Sequence, residues 1–438
     1  MDQVTIDAVE LHAPSLDHLH GFHLDAPVVD ASSADHTLHV EGWLLGKTGR
    51  AEAVELLQDG QPILRLPVNE GRADIADAFA DVPSARASGF NGTLGALRLR
   101  THFELLLRAH LDNGVRVPLG EVRGTRAKLQ LPESPGPAPL IVTTLGRTGS
   151  TWCVWLLQSH SEIVAHRPFQ NDARLGHYWM SVLQTVSDPT SYMRQLYPGD
   201  ATDKDWWTGR DAIPTDRLGD PGLADWLASE RVQELAAMCR SRIATFYDRV
   251  MAEEGKEAKF FVEKSLPRQV PTDLLLELYP HAAEVILVRD FRDMFCSVLA
   301  FNRKRGYTAF GRETSESDEH YVERVRRSGE AVLSHLRSAG RDAYLLRYED
   351  LILQPAETLE GLLDFVGLDG AVAPRVVEQA STPVAGMDQH MTAPNAAASI
   401  GRWRQDLEPG LAEHCDQLLT PLVEEFGYPK SGYEVTAP

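Results

Sequence analysis

The chain has 438 residues, enough for two or three domains, and its content of 43% hydrophobic and 24% charged residues is ordinary for a folded protein. The formal net charge of -20 argues against general binding to nucleic acid or to anionic membranes, because both need a basic face. The first residues lack a basic start and an apolar run, and no stretch reaches the ~18 apolar residues of a membrane span, which predicts a cytoplasmic protein.

Residues 1–130 are predicted to form a small β-sandwich, because short β-prone runs alternate there with turn signals. An Asp-Gly pair at 59–60 and an Asp-Asn-Gly turn at 112–114 each separate two runs, as in β-hairpins. Residues 72–79 fit either a helix or an extended loop. The predicted strands are 37–45, 53–57, 62–66, 103–110 and 115–119.

A proline-rich stretch at 131–139 follows and predicts a stiff linker. The chain therefore divides into an accessory domain at 1–130, this linker, and a larger domain at 140–438. The accessory domain is similar to small β-sandwiches placed ahead of bacterial carbohydrate-active transferases. We expect a structural or dimerisation module, which would make the protein a homo-oligomer, and glycan binding is the alternative.

The larger domain opens with a strand, a loop and a helix. A β-prone run at 140–142 leads into Gly-Arg-Thr-Gly-Ser-Thr at 146–151, and an apolar helical pattern continues to Gln158. Two glycines let backbone N–H groups point inward, and the helix N-terminus adds donors and the positive end of its dipole. Such a loop holds an anion, with Arg147 as a fixed cation. The alternative is an ordinary glycine turn.

The segment after this helix predicts a second strand and an insertion. Residues 163–165 fit a strand, which would leave His166 and Arg167 at its carboxyl end, where open α/β sheets place ligands. Residues 170–223 are rich in aromatics and lack clean periodicity, as in a wall of a substrate site. Simple packing of the tryptophans is the alternative.

Helix and strand patterns alternate through the rest of the chain, which predicts a mostly parallel sheet. The clearest buried strand is 283–290, and an earlier strand at 259–265 carries Lys264 at its polar tip. The predicted helices are 223–251, 271–279, 319–338, 355–366 and 411–426, with a further strand and turn at 343–351.

The loop Arg147-Thr148-Gly149-Ser150-Thr151 resembles the 5′-phosphosulfate loop of bacterial-type sulfotransferases that use 3′-phosphoadenosine 5′-phosphosulfate (PAPS). It does not match the nucleotide triphosphatase loop, because no Lys follows the second glycine.

A second motif, Leu-Val-Arg-Asp-Phe-Arg-Asp at 287–293 followed by Ser297, is similar to the family segment that binds the 3′-phosphate. The resemblance assigns that role to Arg289 and Ser297, which lie about two helical turns apart if the segment is helical. Phe291 replaces the usual proline of the family and alters the turn. Two such motifs in the expected order support the resemblance more than either alone.

The resemblance extends to two softer segments. Arg-Tyr-Glu-Asp-Leu at 347–351 is similar to a family segment before a helix, and we interpret it as structural. Ser399, Gly401 and Arg402 stand in a late segment similar to the one that closes over the nucleotide in the family. Trp152, next to the loop, joins the expected nucleotide-binding set.

For residues 140–438 the resemblance implies an α/β three-layer sandwich of the sulfotransferase or P-loop-like type. It implies PAPS as co-substrate, 3′,5′-bisphosphoadenosine (PAP) as product, and no metal. The four cysteines are scattered without a C-x-x-C pair, which likewise gives no sign of a metal site.

The resemblance also implies catalytic roles. Arg147, the loop N–H groups and the loop hydroxyls would stabilise the departing phosphate, and Lys264 is similar to the family lysine that reaches the sulfuryl group. His166 is the first candidate for the general base, because imidazole titrates near neutral pH, and Asp172 is the second. The expected acceptor is a hydroxyl of a carbohydrate or a small natural product.

Two other functions compete with this interpretation. A kinase or another nucleotide-binding protein could use the same strand, loop and helix, although the loop lysine and a clear acidic strand end for magnesium are missing from the sequence. A binding protein with a catalytically idle transferase domain is the second alternative.

Overall fold

The computed structural model describes residues 2–13, 17–133, 136–166, 174–188, 222, 226–339, 342–381, 391–429 and 433. The chain separates into two compact units. The first, here called the N-terminal unit, comprises Met1–Pro132 and His177–Arg242, and the second, the C-terminal unit, comprises Glu133–Gly176 and Ile243–Pro438.

The N-terminal unit contains two antiparallel sheets. Their strands are β1 (Val4–Leu11), β2 (Leu19–Ala26), β3 (Ser32–Ser33), β4 (Thr37–Gly46), β5 (Ala51–Gln58), β6 (Gln61–Pro67), β7 (Gly89–Gly95), β8 (His102–Leu111) and β9 (Arg116–Arg126). The larger sheet has the order β3-β1-β9-β8-β5-β6, and the smaller has the order β2-β4-β7. One buried apolar cluster takes side chains from both sheets, including Val54 and Phe90.

The strands predicted in this region are confirmed, and several others were missed. The Asp-Gly turn at 59–60 joins β5 to β6, and both of its residues have positive φ. The residues left open at 72–79 form helix α1 (Ala73–Ala78). Strand β7 escaped prediction because three of its seven residues are glycine, which lowers β propensity.

The C-terminal unit is built on a parallel sheet, as predicted. Its strands are β10 (Ala138–Thr144), β11 (Ile163–Val164), β12 (Phe260–Ser265), β13 (Ala283–Val288) and β14 (Ala343–Arg347), in the order β11-β12-β10-β13-β14. Every residue of β10 is buried, since this strand lies at the centre of the sheet. The three-layer arrangement stays a prediction.

The described α-helices after α1 connect or follow these strands. They are α2 (Ser150–Gln158), α3 (Leu175–Ser187), α4 (Arg231–Glu254), α5 (Val270–Glu277), α6 (Phe291–Arg305), α7 (Asp318–Ala339), α8 (Tyr348–Leu353), α9 (Pro355–Phe365), α10 (Ala373–Ala380), α11 (Trp403–Asp406) and α12 (Pro409–Glu425). None of the helices in the described ranges is long and apolar enough to cross a membrane. The described residues also contain no cluster of His, Cys, Asp or Glu suited to a metal ion.

Two predictions need correction. Helix α3 lies inside 170–223, where the sequence predicted no regular element. The strand predicted at 283–290 ends at Val288, because the Asp290 side chain accepts the Arg292 N–H at 2.9 Å and so caps α6.

Candidate functional site

The loop between β10 and α2 is shaped by its own residues. Arg147 has φ 71° and Gly149 has φ 89°, so both lie in the left-handed region that strains any residue other than glycine. A Cβ at Gly149 would collide with the ring of Tyr348. The Thr148 hydroxyl lies 2.5 Å from that of Thr144, so the side chain of Thr148 serves the loop itself.

Arg289, the residue after β13, presents a buried guanidinium. Its Nη1 donates to the Arg147 carbonyl at 3.3 Å, and its Nη2 donates to the Ser399 carbonyl at 2.6 Å. The guanidinium carbon lies 4.8 Å from the ring centre of Tyr348, while Nε is buried without a hydrogen-bond partner. Within the described ranges no carboxylate lies within ion-pair distance of Arg289, although the buried carboxyl groups of Asp293 and Glu349 are near enough to interact with its charge.

The two sequence motifs meet at Arg147. Its Nε donates to the Ser297 hydroxyl on α6 at 3.3 Å, and its guanidinium lies 4.7 Å from the ring centre of Phe301. Burial first, and then the nearby Arg289 guanidinium, lower the pKa of Arg147 to about 10. The half-buried Arg147 and the buried Arg289 thus repel each other across the loop, and a bound anion would relieve that repulsion.

The segment at 399–403 is fastened to α6 by Asp293. The carboxylate accepts the Gly401 N–H at 2.6 Å and the Trp403 N–H at 3.0 Å. Burial first, and then the neighbouring Asp290, raise the pKa of Asp293 to about 6. This attachment holds Ser399 against Arg289, with the Ser399 hydroxyl 3.2 Å from that of Tyr348.

These parts enclose one cleft with a volume of about 790 Å³. Nine of the residues proposed from the sequence line it: Arg147, Gly149, Ser150, Thr151, Trp152, Lys264, Arg289, Ser297 and Ser399. The rest of its described lining is Thr144, Leu145, Gly146, Arg174, Ser265, Leu266, Phe310, Tyr348, Met391, Thr392, Ala393, Asn395 and Ala396. The structure therefore gathers the first motif, the second motif and Lys264 around a single space.

A model of the sulfotransferase family matches residues 139–372, more than half of the chain. The chain belongs to the sulfotransferase family. The matched residues include the loop at 146–151, Lys264, Arg289 and Ser297. No curated protein matches the chain.

Several solved sulfotransferases are similar to the chain at low identity. The sulfotransferase domain from the curacin biosynthetic pathway is 16% identical, covering 68% of this chain and 99% of its own, with a TM-score of 0.33. Mouse sulfotransferase SULT7A1 complexed with PAP is 10% identical, covering 66% and 85%, with a TM-score of 0.36. Sulfotransferase STF9 from Mycobacterium avium is 15% identical, covering 68% and 79%, with a TM-score of 0.35.

Lys264 occupies the edge of the sulfotransferase cleft. It lies near the carboxyl end of β12, where it pairs with Val142 of the central strand, and only 8% of its surface is exposed. The preceding residue, Glu263, makes different contacts: its carboxylate accepts hydrogen bonds from the Tyr247 hydroxyl at 2.6 Å and from the Gly176 N–H at 2.8 Å. Alternation along the strand thus leaves the lysine facing the cleft.

Other predicted residues of the sulfotransferase site do not line the described part of the cleft. His166 follows β11, and its ring packs edge-on against Phe246, with the ring centres 5.0 Å apart. Arg402 pairs with Asp406 at 2.5 Å and donates to the Thr392 carbonyl at 3.0 Å. Thr148 and Gly401 also lie outside the lining, and Asp172 falls outside the described residues.

The sequence did not single out three residues that shape the sulfotransferase cleft. Tyr348 packs against Gly149 and under Arg289, although its segment was interpreted as purely structural. Asp293 fastens the closing segment, and Phe310 lies on Gly146. Of the three, only Asp293 had a sequence signal: with Arg292 it repeats the Arg-Asp pair that stands just before Phe291.

Proposed function

We propose that the chain transfers the sulfuryl group of PAPS to a hydroxyl of a carbohydrate or a small natural product. The main support for this proposal is that the two predicted phosphate-binding motifs lie in contact. Arg147 donates a hydrogen bond to the Ser297 hydroxyl, and Arg289 donates one to the Arg147 carbonyl. A nucleotide with phosphate groups at both 3′ and 5′ positions would balance both guanidinium charges. Membership of the sulfotransferase family supports the same donor.

In this proposal Arg289 and Ser297 hold the 3′-phosphate beside the Ser399 segment. The loop N–H groups from Thr148 to Thr151, together with the hydroxyls of Ser150 and Thr151, hold the 5′-phosphate at the start of α2. Thr148 contributes its backbone only, since its hydroxyl bonds within the loop. Trp152 also lines the cleft, and we assign its ring to packing against the adenosine.

The transfer step makes a bond from the acceptor oxygen to sulfur and breaks the bond from sulfur to the phosphate oxygen. The electron pair stays on the departing phosphate, and the acceptor proton passes to a base. Arg147 and Lys264 would stabilise the negative charge that develops on the phosphate and the sulfuryl oxygens. Because both cations are fixed before the reaction, little reorganisation is required.

A general base must accept the proton of the acceptor hydroxyl. We retain His166 first and Asp172 second as candidates. Replacing each by Ala and measuring turnover at saturating PAPS ranks them, and near-normal turnover in one variant removes that residue from the mechanism.

We also propose that the chain consists of an accessory domain at 1–130, a linker at 131–139 and a transferase domain at 140–438. Cytoplasmic location and assembly into a homo-oligomer stay predictions; size-exclusion chromatography with light scattering tests the second.

Calorimetric titration of the full chain with PAP and with ATP tests the nucleotide assignment. We expect PAP to bind at least tenfold more tightly than ATP, because Arg289 and Ser297 recognise a 3′-phosphate that ATP lacks. Sulfate transfer from labelled PAPS to a set of hydroxyl acceptors then tests catalysis. Tighter binding of ATP would favour a kinase, and PAP binding without transfer to any acceptor would favour an idle transferase domain.

A further inference from the structure

Phe310 is held in a strained conformation at the cleft. Its φ is 60°, in the left-handed region that a bulky residue rarely adopts. The Tyr321 hydroxyl donates to the Phe310 carbonyl at 2.8 Å, and Tyr321 itself is buried. The ring nevertheless lines the cleft with 44% of the residue exposed. Strain that the fold maintains at a cleft points to a functional role.

The Phe310 ring lies against the phosphate loop. A Cβ at Gly146 would collide with it, so only glycine allows the ring this position. The ring also meets Phe301 edge-on, with the centres 5.4 Å apart, and the Arg147 guanidinium lies over the other aromatic of this pair at 4.7 Å. The exposed ring is therefore a neighbour of the cation that we place at the transferred group.

Two aliphatic side chains extend this apolar surface. Leu266 is 42% exposed and follows Lys264 by two residues, and Met391 is 43% exposed. Both line the same cleft as Phe310. Contact with such side chains does not stabilise the charged phosphates of a nucleotide. An apolar molecule would cover them, and the burial of apolar surface on both sides would favour its binding.

We infer that the acceptor carries its hydroxyl on an aromatic or alkyl body, and that Phe310 is the platform on which this body packs. Sugars also pack on aromatic rings, but their hydroxyls need polar partners. Among the described lining residues Asn395 alone carries a side-chain amide and none carries a carboxylate, while most of the hydroxyl and cationic side chains are those that we assign to the nucleotide. The inference rests on the proposed function and narrows its acceptor to an apolar natural product.

The test uses the full chain saturated with PAP and measures binding of 4-pentylphenol and of methyl β-galactoside by calorimetry. We expect the phenol to bind and the sugar to bind at least tenfold more weakly. Phe310→Ala should weaken the phenol at least tenfold, and Phe310→Leu should weaken it less because apolar bulk remains. Tyr307→Ala is the matched control: Tyr307 is an exposed aromatic of the same loop outside the cleft lining, and its removal should change binding by less than twofold.

The PAP affinity of each variant separates the possible failures. We expect Phe310→Ala to keep the wild-type affinity for PAP within twofold. A tenfold loss of PAP affinity would assign the ring to adenine and overturn the inference, as would tighter binding of the sugar or binding of neither acceptor. Wild-type protein that fails to bind PAP at all would instead remove the proposed function. Phe310→Leu decides the matter if the Ala variant does not fold.

Discussion

Arg289 is held in place by contacts to the backbone and to an aromatic ring. Its guanidinium donates to two backbone carbonyls and covers the face of Tyr348, yet its Nε remains buried and unpaired. A buried donor without a partner costs free energy in the folded protein. The 3′-phosphate that we propose beside this guanidinium would offset part of the cost through its opposite charge.

Replacing Arg289 by Lys should weaken PAP binding roughly ten- to hundredfold, since the charge remains while the planar fork is lost. Calorimetric titration measures the change. Arg337→Lys is the control, because Arg337 pairs with Glu425 on an exposed surface. An unchanged PAP affinity in the Arg289 variant would contradict the assignment of the 3′-phosphate.

Lys264 should affect the chemical step more than nucleotide binding. We expect Lys264→Ala to lower turnover at saturating PAPS about a hundredfold or more, because a fixed charge at the sulfuryl group is lost. The affinity for PAP, which lacks that group, should change by less than about threefold. Lys259→Ala, just before β12 and exposed, provides the control. A large loss of PAP affinity with normal turnover would place Lys264 on the nucleotide instead.

At the scale of elements, the turn from β10 to α2 depends on close packing as well as on dihedral angles. Gly149 combines a positive φ with direct contact to the Tyr348 ring. Tyr348 in turn begins α8, after β14. The loop therefore acquires its shape from an element nearly two hundred positions later in the sequence.

Gly149→Ala should reduce thermal stability and abolish measurable PAP binding, since the added Cβ meets both backbone strain and the Tyr348 ring. Gly306→Ala is a matched control: Gly306 has φ 73°, but no atom lies within 4 Å of the place that a Cβ would take. The control variant should therefore lose only about 1 kcal/mol from strain and retain PAP binding. Equal effects of the two substitutions on binding would show that packing on Tyr348 is unimportant.

At the scale of the whole molecule, buried carboxyl groups tie the C-terminal unit together. Glu349 accepts the Asp290 N–H at 3.0 Å and the Tyr428 hydroxyl at 2.8 Å, which joins the start of α6 to α8 and to the residues after α12. Burial is the main cause that raises the pKa of Glu349 to about 7. The folded protein therefore holds a proton that the unfolded chain releases at lower pH.

The stability that this protonation contributes is complete below about pH 4.5 and is lost as the pH rises to about 7. At ~1.4 kcal/mol per pKa unit, the loss is on the order of 3 kcal/mol. Glu349→Gln stays neutral, so its Tm should fall several degrees less than that of the wild type between pH 5 and pH 8. Glu425→Gln, at an exposed carboxyl, should keep the wild-type pH dependence. Parallel pH curves for the wild type and Glu349→Gln would refute the prediction.

Local sequence patterns were enough to predict the parallel sheet, the glycine-containing loop between β10 and α2, and the order of the two motifs. These features depend on local periodicity and on spacing of a few residues, which the chain carries whatever its tertiary packing. The same local patterns located most helices of the C-terminal unit. Among the elements that these patterns missed are strand β7, whose three glycines lower its β propensity, and helix α3.

Tertiary packing selects which residues of each motif face the cleft. Arg289 and Arg292 stand three positions apart, but Arg292 is held by Asp290 and Asp416 and lies buried against Trp403. Likewise, Phe310 reaches the loop only because the fold brings its segment over Gly146. Sequence spacing cannot distinguish such neighbours, because side-chain direction is set by contacts between residues far apart in the chain.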